Sequence, residues 1–229
     1  MKRFYALVML ALVAVTPRLY AQSDLFSDEG YSRGYVSYSS IAIDWDDMED
    51  VSSSMYPIKE SVSLGYLKSG KLFNALPLHI EYGANIQYMF GEDSMSILGV
   101  NTNYTANTIA LNVPLHASLN ISLGKVAIIP YAGVNFRFNI MGKQTSETKL
   151  GNSNVVTEIN LYDSSDSENA AGEAAWERFQ TGFSYGVAVR LGRCTLSAGL
   201  LSDLTPIVNI NEDSSSSMSL KTISLGYAF

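Results

Sequence analysis

The residues with the clearest acid–base chemistry are the two histidines of the chain, His79 and His116. A histidine beside a serine hydroxyl and a glutamate can activate that hydroxyl as a nucleophile, as in an esterase. Ser63, Ser118 and Ser122 are available nearby. Because serines lie near histidines by chance in many proteins, this spacing does not assign catalysis, and we expect no catalytic residue.

Further polar residues occupy every second position of otherwise apolar segments. With the two histidines they form one set: Glu81, Gln87, Asn112, Asn135, Arg137 and Arg190. In a closed barrel the side chains at these positions point inward. Charges in a narrow lumen must pair, because the desolvation of an unpaired charge destabilises the fold. We therefore expect a hydrogen-bonded plug rather than a conducting or ligand-binding interior. The direction of the strands predicts that Glu81 meets Arg190 near the end that carries the chain termini.

The elements that position these side chains are predicted by strict alternation of apolar and small or polar residues. The last segment, 219–229, places four large apolar residues on one face: Ile223, Leu225, Tyr227 and Phe229. Seven further segments alternate, the first two less cleanly than the others: 33–45, 60–68, 78–90, 108–119, 126–140, 179–191 and 194–201. Eight antiparallel strands result, and a soluble β-sandwich rich in aromatic residues is the alternative.

The connections fall into two kinds that alternate along the chain. Three are short or basic, at 69–77, Gly124-Lys125 and Gly192-Arg193, and four are long, at 46–59, 91–107, 142–178 and 202–218. Short turns on one side and long loops on the other are typical of a transmembrane barrel. The sequence thus predicts an all-β fold, an eight-stranded antiparallel transmembrane β-barrel with short periplasmic turns, long extracellular loops and both termini in the periplasm.

The amino terminus resembles a cleavable signal peptide. Lys2 and Arg3 precede an apolar run over residues 6–15, and Ala21 is the expected cleavage site. We therefore divide the chain into a signal peptide, 1–21, and one barrel domain, 22–229, located in the outer membrane of a Gram-negative envelope. The single cysteine, Cys194, cannot form an internal disulfide.

Charge and aromatic content agree with this location. The net charge is -7, and the acids concentrate in the long connections, which argues against nucleic-acid binding. Asp163, Asp166 and Glu168 have carboxylates that a divalent cation could use, but their spacing matches no closed motif, so we predict no metal site and no cofactor.

Fourteen Tyr and nine Phe suit aromatic girdles at the two interfaces. Residues 170–178, with Trp176 and Phe179, suggest a short amphipathic helix that anchors at one interface.

Six phrases carry a resemblance to a known family: SLGYL (63–67), LHIEYG (78–83), LNVPL (111–115), IPYAG (129–133), GFSYG (182–186) and SLGYAF (224–229). Over essentially the whole mature region the chain resembles the PorT-like family of small outer-membrane β-barrels from Bacteroidetes. The resemblance implies insertion by the β-barrel assembly machinery, whose recognition signal Ile223, Leu225, Tyr227 and Phe229 resemble. Some members of that family assist protein secretion, and most have no assigned activity.

Three functional classes follow. The first is a structural or interaction barrel, surrounded by outer-membrane lipid, whose long connections contact an extracellular or envelope protein and assist envelope assembly or secretion. The second is a narrow channel or conduit for a small solute. The third is a lipid-modifying enzyme, which we rank last because both histidines are predicted near the periplasmic end, away from outer-leaflet lipid.

Overall fold

The computed structural model describes residues 30–45, 57–73, 76–97, 100–150, 153–162, 176–207, 209–211 and 214–229. The predicted signal peptide, its cleavage site, and the acidic residues Asp163, Asp166 and Glu168 lie outside these ranges. Within them, no helix is long and apolar enough to cross a bilayer.

Eleven strands form the described fold. In chain order they are β1 (Ser32–Trp45), β2 (Glu60–Phe73), β3 (Leu76–Ile97), β4 (Val100–Leu119), β5 (Ile121–Leu123), β6 (Val126–Leu150), β7 (Ser153–Asn160), β8 (Phe179–Leu191), β9 (Cys194–Asp203), β10 (Asn209–Asn211) and β11 (Ser214–Ala228). The three short ones attach to long strands: β5 and β7 pair with β6, and β10 pairs with β11. Eight long strands remain as the frame of the molecule.

These eight strands close into a barrel. Each pairs antiparallel with the next, in the order β1-β2-β3-β4-β6-β8-β9-β11, and β11 returns to pair with β1 over Arg33↔Ala228 to Trp45↔Ser216. Closure leaves no free edge in the barrel wall, as a hydrocarbon environment requires. The predicted eight-stranded antiparallel barrel is confirmed.

Two tight turns mark one end of the barrel. Gly124 has φ 69° and Gly192 has φ 58°, in two-residue turns that join β5 to β6 and β8 to β9. Backbone in this left-handed region favours glycine, because a side chain there is strained. Gly30 and Phe229 lie at the same end as these turns, which we call the turn end; the opposite end is the loop end.

The strands are longer than predicted at the loop end. Residues 91–107 and much of 142–178 were expected to be loops, but β3 and β4 remain paired up to Ile97↔Val100, and β6 pairs with β7 up to Leu150↔Ser153. The loop predictions at 91–107 and 142–178 were wrong because polar residues predominate on both faces there, so no apolar alternation marks the strand although the backbone pairing continues. The connection predicted at 202–218 is also partly strand, and so is the one predicted at 69–77 at the turn end.

Candidate functional site: a lumen closed at both ends and a protruding sheet

The outer face of the barrel is apolar on every long strand. Exposed residues include Val36, Leu64, Ile86, Val113, Phe136, Val187, Leu196 and Leu225. Leu64, for example, is 67% exposed. A continuous apolar belt around a closed barrel with a polar interior is the arrangement that lipid tails favour and water does not. The architecture is therefore that of an outer-membrane-type β-barrel.

The four terminal residues predicted as an insertion signal belong to this belt. Ile223, Leu225, Tyr227 and Phe229 are all exposed on the outer face, and the Phe229 ring lies 6.0 Å from the ring of Tyr66 on β2. Their recognition by the assembly machinery stays a prediction, because an exposed apolar face serves lipid contact equally well.

At the turn end the lumen is closed by Tyr31, the residue before β1. Its carbonyl oxygen accepts a 2.7 Å hydrogen bond from the N–H of Ser69, which extends the pairing of β1 with β2 by one residue. Its hydroxyl donates to the Glu81 carboxylate. Its ring packs in a small apolar cluster with Ala127, Ile129 and Ala188. Tyr31 is not among the predicted lumen residues, because it lies outside the alternating segments.

Glu81 pairs with Arg33, not with Arg190. The Arg33 Nη2 atom lies 3.7 Å from the Glu81 Oε2 atom, and both side chains are buried. Arg190 instead lies over the Tyr31 ring, 4.9 Å from its centroid. The predicted Glu81–Arg190 pair is therefore wrong. The alternation correctly predicted that Glu81 points into the lumen, but it does not predict the height of a residue along the barrel axis. Through β2, Arg33 is in register with Gly83, two residues from Glu81 on β3.

His79 belongs to the same end of the lumen. It is fully buried on β3, and its Nδ1 atom lies 3.4 Å from the Ser69 hydroxyl. Neither of these groups faces lipid, so this pair contributes to the interior packing of the turn end.

The middle of the lumen holds a small polar chamber of about 120 Å³. The Asn112 side chain makes four hydrogen bonds in this chamber. The Asn112 amide nitrogen donates to the Asn85 oxygen at 3.0 Å and to the Gln87 oxygen at 2.9 Å. The Asn112 oxygen accepts from Asn135 at 3.4 Å and from the Arg137 Nε atom at 3.3 Å. One amide thus links β3, β4 and β6, and the chamber is large enough for a few water molecules.

His116 is the second buried histidine and it does contact a serine, although not a predicted one. Its Nε2 atom lies 2.7 Å from the Ser184 hydroxyl on β8, and its ring stacks on Tyr131 at 5.0 Å. Its Nδ1 atom has no hydrogen-bond partner in the described chain, so no carboxylate orients the ring. Ser63 instead contacts Ser37. The His116–Ser184 pair therefore differs from a nucleophile–base–acid arrangement, in which a third group orients the base.

A buried ion pair lies between the chamber and the loop end. The Arg137 Nη1 atom is 2.9 Å from the Asp203 Oδ2 atom, and the two side chains are 1% and 2% exposed. The same nitrogen donates to the Gln180 oxygen at 3.0 Å. Asp203 was placed in a loop by the sequence analysis, yet it continues the inward parity of Thr195 and β9, which is the signal that could have found it.

Above this pair the loop end is closed by an apolar cap. The connections between strands contribute five buried side chains, Ile58, Leu161, Tyr162, Trp176 and Ile207, and these pack on strand residues that include Met89 and Met218. Backbone bonds hold the connections together: the Trp176 N–H donates to Leu161 and the Glu177 N–H donates to Ile207. Trp176 is only 5% exposed, so the prediction that it anchors at an interface is wrong, whereas Phe179, the other aromatic residue of that prediction, is 54% exposed. The helix predicted over 170–178 lies mostly outside the described residues.

Tyr162 joins the cap to the barrel wall. Its ring meets the Trp176 ring edge-on at 6.4 Å, and its hydroxyl lies 2.9 Å from the Thr108 hydroxyl. Burial raises the pKa of the Tyr162 phenol to about 12. Because Tyr162 follows β7, the end of the β6–β7 hairpin is packed into the cap.

Beyond the cap, four strands continue as a protruding sheet, which comprises residues 91–97 of β3, 100–107 of β4, 143–150 of β6 and all of β7. At about 3.3 Å per residue, its strands extend roughly 20 Å past the closed barrel. Its described side chains are exposed or half-buried on both faces, except at its base, where the paired residues Ala106 and Gln144 are buried. Lys143 and Glu158 form an exposed ion pair at 2.6 Å across β6 and β7.

Comparisons with family models and with curated proteins give no match. Solved structures with a similar chain path include Ail, the attachment invasion locus protein of Yersinia pestis, at 10% identity and TM-score 0.38, covering 88% of this chain and 99% of that one. Neisserial surface protein A has 11% identity and TM-score 0.40, covering 87% and 97%. The outer membrane enzyme PagL has 10% identity and TM-score 0.38, covering 84% and 98%. Similarity at this level assigns no activity to the present chain.

Proposed function

We propose that the protein is an integral outer-membrane barrel that acts through its loop-end surface rather than through its lumen. The observation that carries this proposal is the double closure of the lumen, by Tyr31 with the Arg33–Glu81 pair at one end and by the apolar cap at the other. A solute would have to displace buried side chains at both ends. We propose accordingly that the chain is neither a channel nor an enzyme.

The loop-end surface is the part of the molecule that extends into solvent. Its protruding sheet stands on a rigid barrel, and exposed segments on rigid scaffolds are where binding is usually placed. In this proposal, the turn end and both termini face the periplasm and the sheet faces the exterior. Assistance to envelope assembly or secretion, which the PorT-like resemblance implies, would use an envelope or extracellular protein as the partner of this sheet.

Conductance of the refolded barrel tests the closed lumen. Mature chain, 22–229, is refolded, its barrel is verified by a heat-dependent gel shift, and single insertions are recorded in a planar bilayer. We expect no open steps. A double variant, Tyr31→Ala with Ile207→Ala, removes one closing side chain from each end and is the control that a passage would become measurable. Reproducible steps from the wild-type barrel would overturn the proposal and make the channel primary.

Photo-crosslinking in cells tests the loop-end surface. A photoreactive amino acid is placed at Val156 on the protruding sheet and, as a matched control, at the belt residue Val187, which is also an exposed valine of a strand. We expect discrete protein adducts from position 156 and none from position 187. Adducts only at the belt position would contradict a role for the sheet.

A further inference from the structure

β7 is an edge of the protruding sheet. Along its whole length it pairs with β6 on one side, and no other strand of the described chain pairs with it. Seven of its eight side chains are exposed and the eighth is half-buried. Unpaired backbone groups along such an edge are a template for another strand.

The hydrogen bonds show which backbone groups are available. The N–H of Leu161, the residue after β7, donates to the Gly142 carbonyl on β6 at 3.1 Å. Because successive residues of a strand direct their N–H and C=O groups to opposite sides, the odd-numbered residues of β7 bond to β6. Asn154, Val156 and Glu158 therefore direct their backbone groups away from the sheet.

Two sequence features that normally protect an edge are missing from β7: its sequence, SNVVTEIN, has no proline and no lysine. Its single charge, Glu158, is already paired with Lys143. Val155 and Val156 are each at least half exposed, one on either face of the sheet. The edge therefore presents two exposed valines among mostly uncharged polar residues.

We propose that this edge pairs antiparallel with β7 of a second copy of the chain. The inference rests on the proposed function and names the partner of the same surface. A symmetric register with Thr157 opposite Thr157 places Val155 opposite Ile159 twice on one face. On the other face it places Val156 opposite Glu158. No like charges are opposed, and a two-fold axis completes the contact without any further sequence.

The symmetry also fixes how the two copies are oriented. An axis perpendicular to the sheet reverses the strand direction, so the two barrels point in opposite directions. A two-fold axis parallel to the strands would pair them in parallel within one membrane. It would place each residue opposite the same residue of the second copy, with the two side chains on opposite faces of the sheet. Paired residues of neighbouring strands have their side chains on the same face, so this arrangement is excluded. The contact therefore joins barrels in two membranes that face each other.

Nanodiscs that hold one barrel each test this pairing, because both faces of a disc are accessible. Sedimentation measures the fraction of paired discs against concentration, and negative-stain images show whether paired discs stack face to face. We expect concentration-dependent stacking. It should strengthen with added salt, which screens the repulsion between two acidic copies.

Two sets of variants locate the contact. Val156→Pro removes one outward N–H and is expected to abolish stacking, whereas Val156→Thr keeps the N–H and should stack as wild type. Thr157→Lys and Thr157→Glu each place like charges opposite each other and should stay single, but a mixture of the two should stack. The heat-dependent gel shift verifies that each variant is folded.

Three results would overturn the inference: wild-type discs that stay single at every concentration, a Val156→Pro variant that stacks normally, or a charge-swapped mixture that stays single. None of these affects the closed lumen, which conductance tests separately. Open steps in the planar bilayer would instead remove the proposed function while leaving the stacking result interpretable.

Discussion

The two ends of the lumen are closed by opposite chemistry. At the turn end a phenol lies among two guanidinium groups and a carboxylate, contributed by strands and by the single residue before β1. At the loop end the cap consists of apolar side chains from the connections, above the buried Arg137–Asp203 pair. Stability at the polar end depends on specific hydrogen-bond and ion-pair partners, whereas stability at the apolar end depends on buried volume. Substitutions at the two ends should therefore destabilise the barrel by different mechanisms.

The largest effect is expected for Asp203→Ala, which leaves the Arg137 charge buried without its partner. Removal of one member of a buried pair costs about 3–5 kcal/mol. Urea unfolding of the refolded barrel measures the loss. Adding Arg137→Met should restore much of the stability, because the uncompensated charge is then gone. The matched control is Glu158→Gln, which breaks the exposed pair with Lys143 and should change stability by less than about 1 kcal/mol. Equal losses from both would contradict this view of the lumen.

The second-largest loss of stability is expected for Ile207→Ala in the apolar cap. Truncation of a buried isoleucine costs about 2–4 kcal/mol through lost burial and the cavity left behind. Trp176 reports the change, because its emission should shift to longer wavelength as the cap loosens; Trp45→Phe removes the other tryptophan from the signal. An unchanged Trp176 emission together with wild-type stability would show that the cap does not depend on this contact.

A smaller effect is expected for Tyr31→Phe at the turn end. The ring stays in place, but the hydroxyl that donates to Glu81 is lost, which costs about 1–2 kcal/mol. Urea unfolding again gives the measurement, and the neighbouring Tyr35→Phe, which removes a hydroxyl that accepts a bond from Asn85 at 2.9 Å, is the comparison within the chamber. No loss in either variant would mean that packing alone closes this end.

The smallest effect concerns pH at the loop end. The pKa of Tyr162 is raised from 10 to about 12 by burial, so the folded state holds this proton more tightly than the unfolded state does. The contribution is complete below pH 10 and is lost as the pH rises from 10 towards 12. The stability of Tyr162→Phe should therefore fall less steeply over this range than that of the wild type. Identical slopes would contradict the buried phenol.

The strand pattern was readable from sequence wherever one face meets lipid. The strand 179–191 was predicted with its observed limits, because Phe183, Val187 and Val189 alternate with small or polar residues. The same signal disappears in the protruding sheet, where water covers both faces, so β7 was missed entirely. Alternation records the environment of a strand and not its hydrogen bonds.

The interior was readable in composition but not in pairing. Parity placed Glu81, Asn112, Asn135 and Arg137 inside, yet it could not show that Arg33 lies nearer to Glu81 than Arg190 does. That choice depends on the register of β1 against β2, which no local pattern encodes. The apolar cap was unpredictable for a similar reason, since Ile58, Trp176 and Ile207 meet only after their connections fold inward.

Each internal ion pair joins strands that are not neighbours. Arg33 reaches Glu81 past β2, and Arg137 reaches Asp203 past β8. Strands two apart share no backbone hydrogen bonds and lie roughly 9.6 Å from each other in a sheet, a distance that a long arginine side chain and a carboxylate can span together. Each ion pair therefore acts as a cross-brace: it links two parts of the wall that the backbone ladder connects only through a third strand.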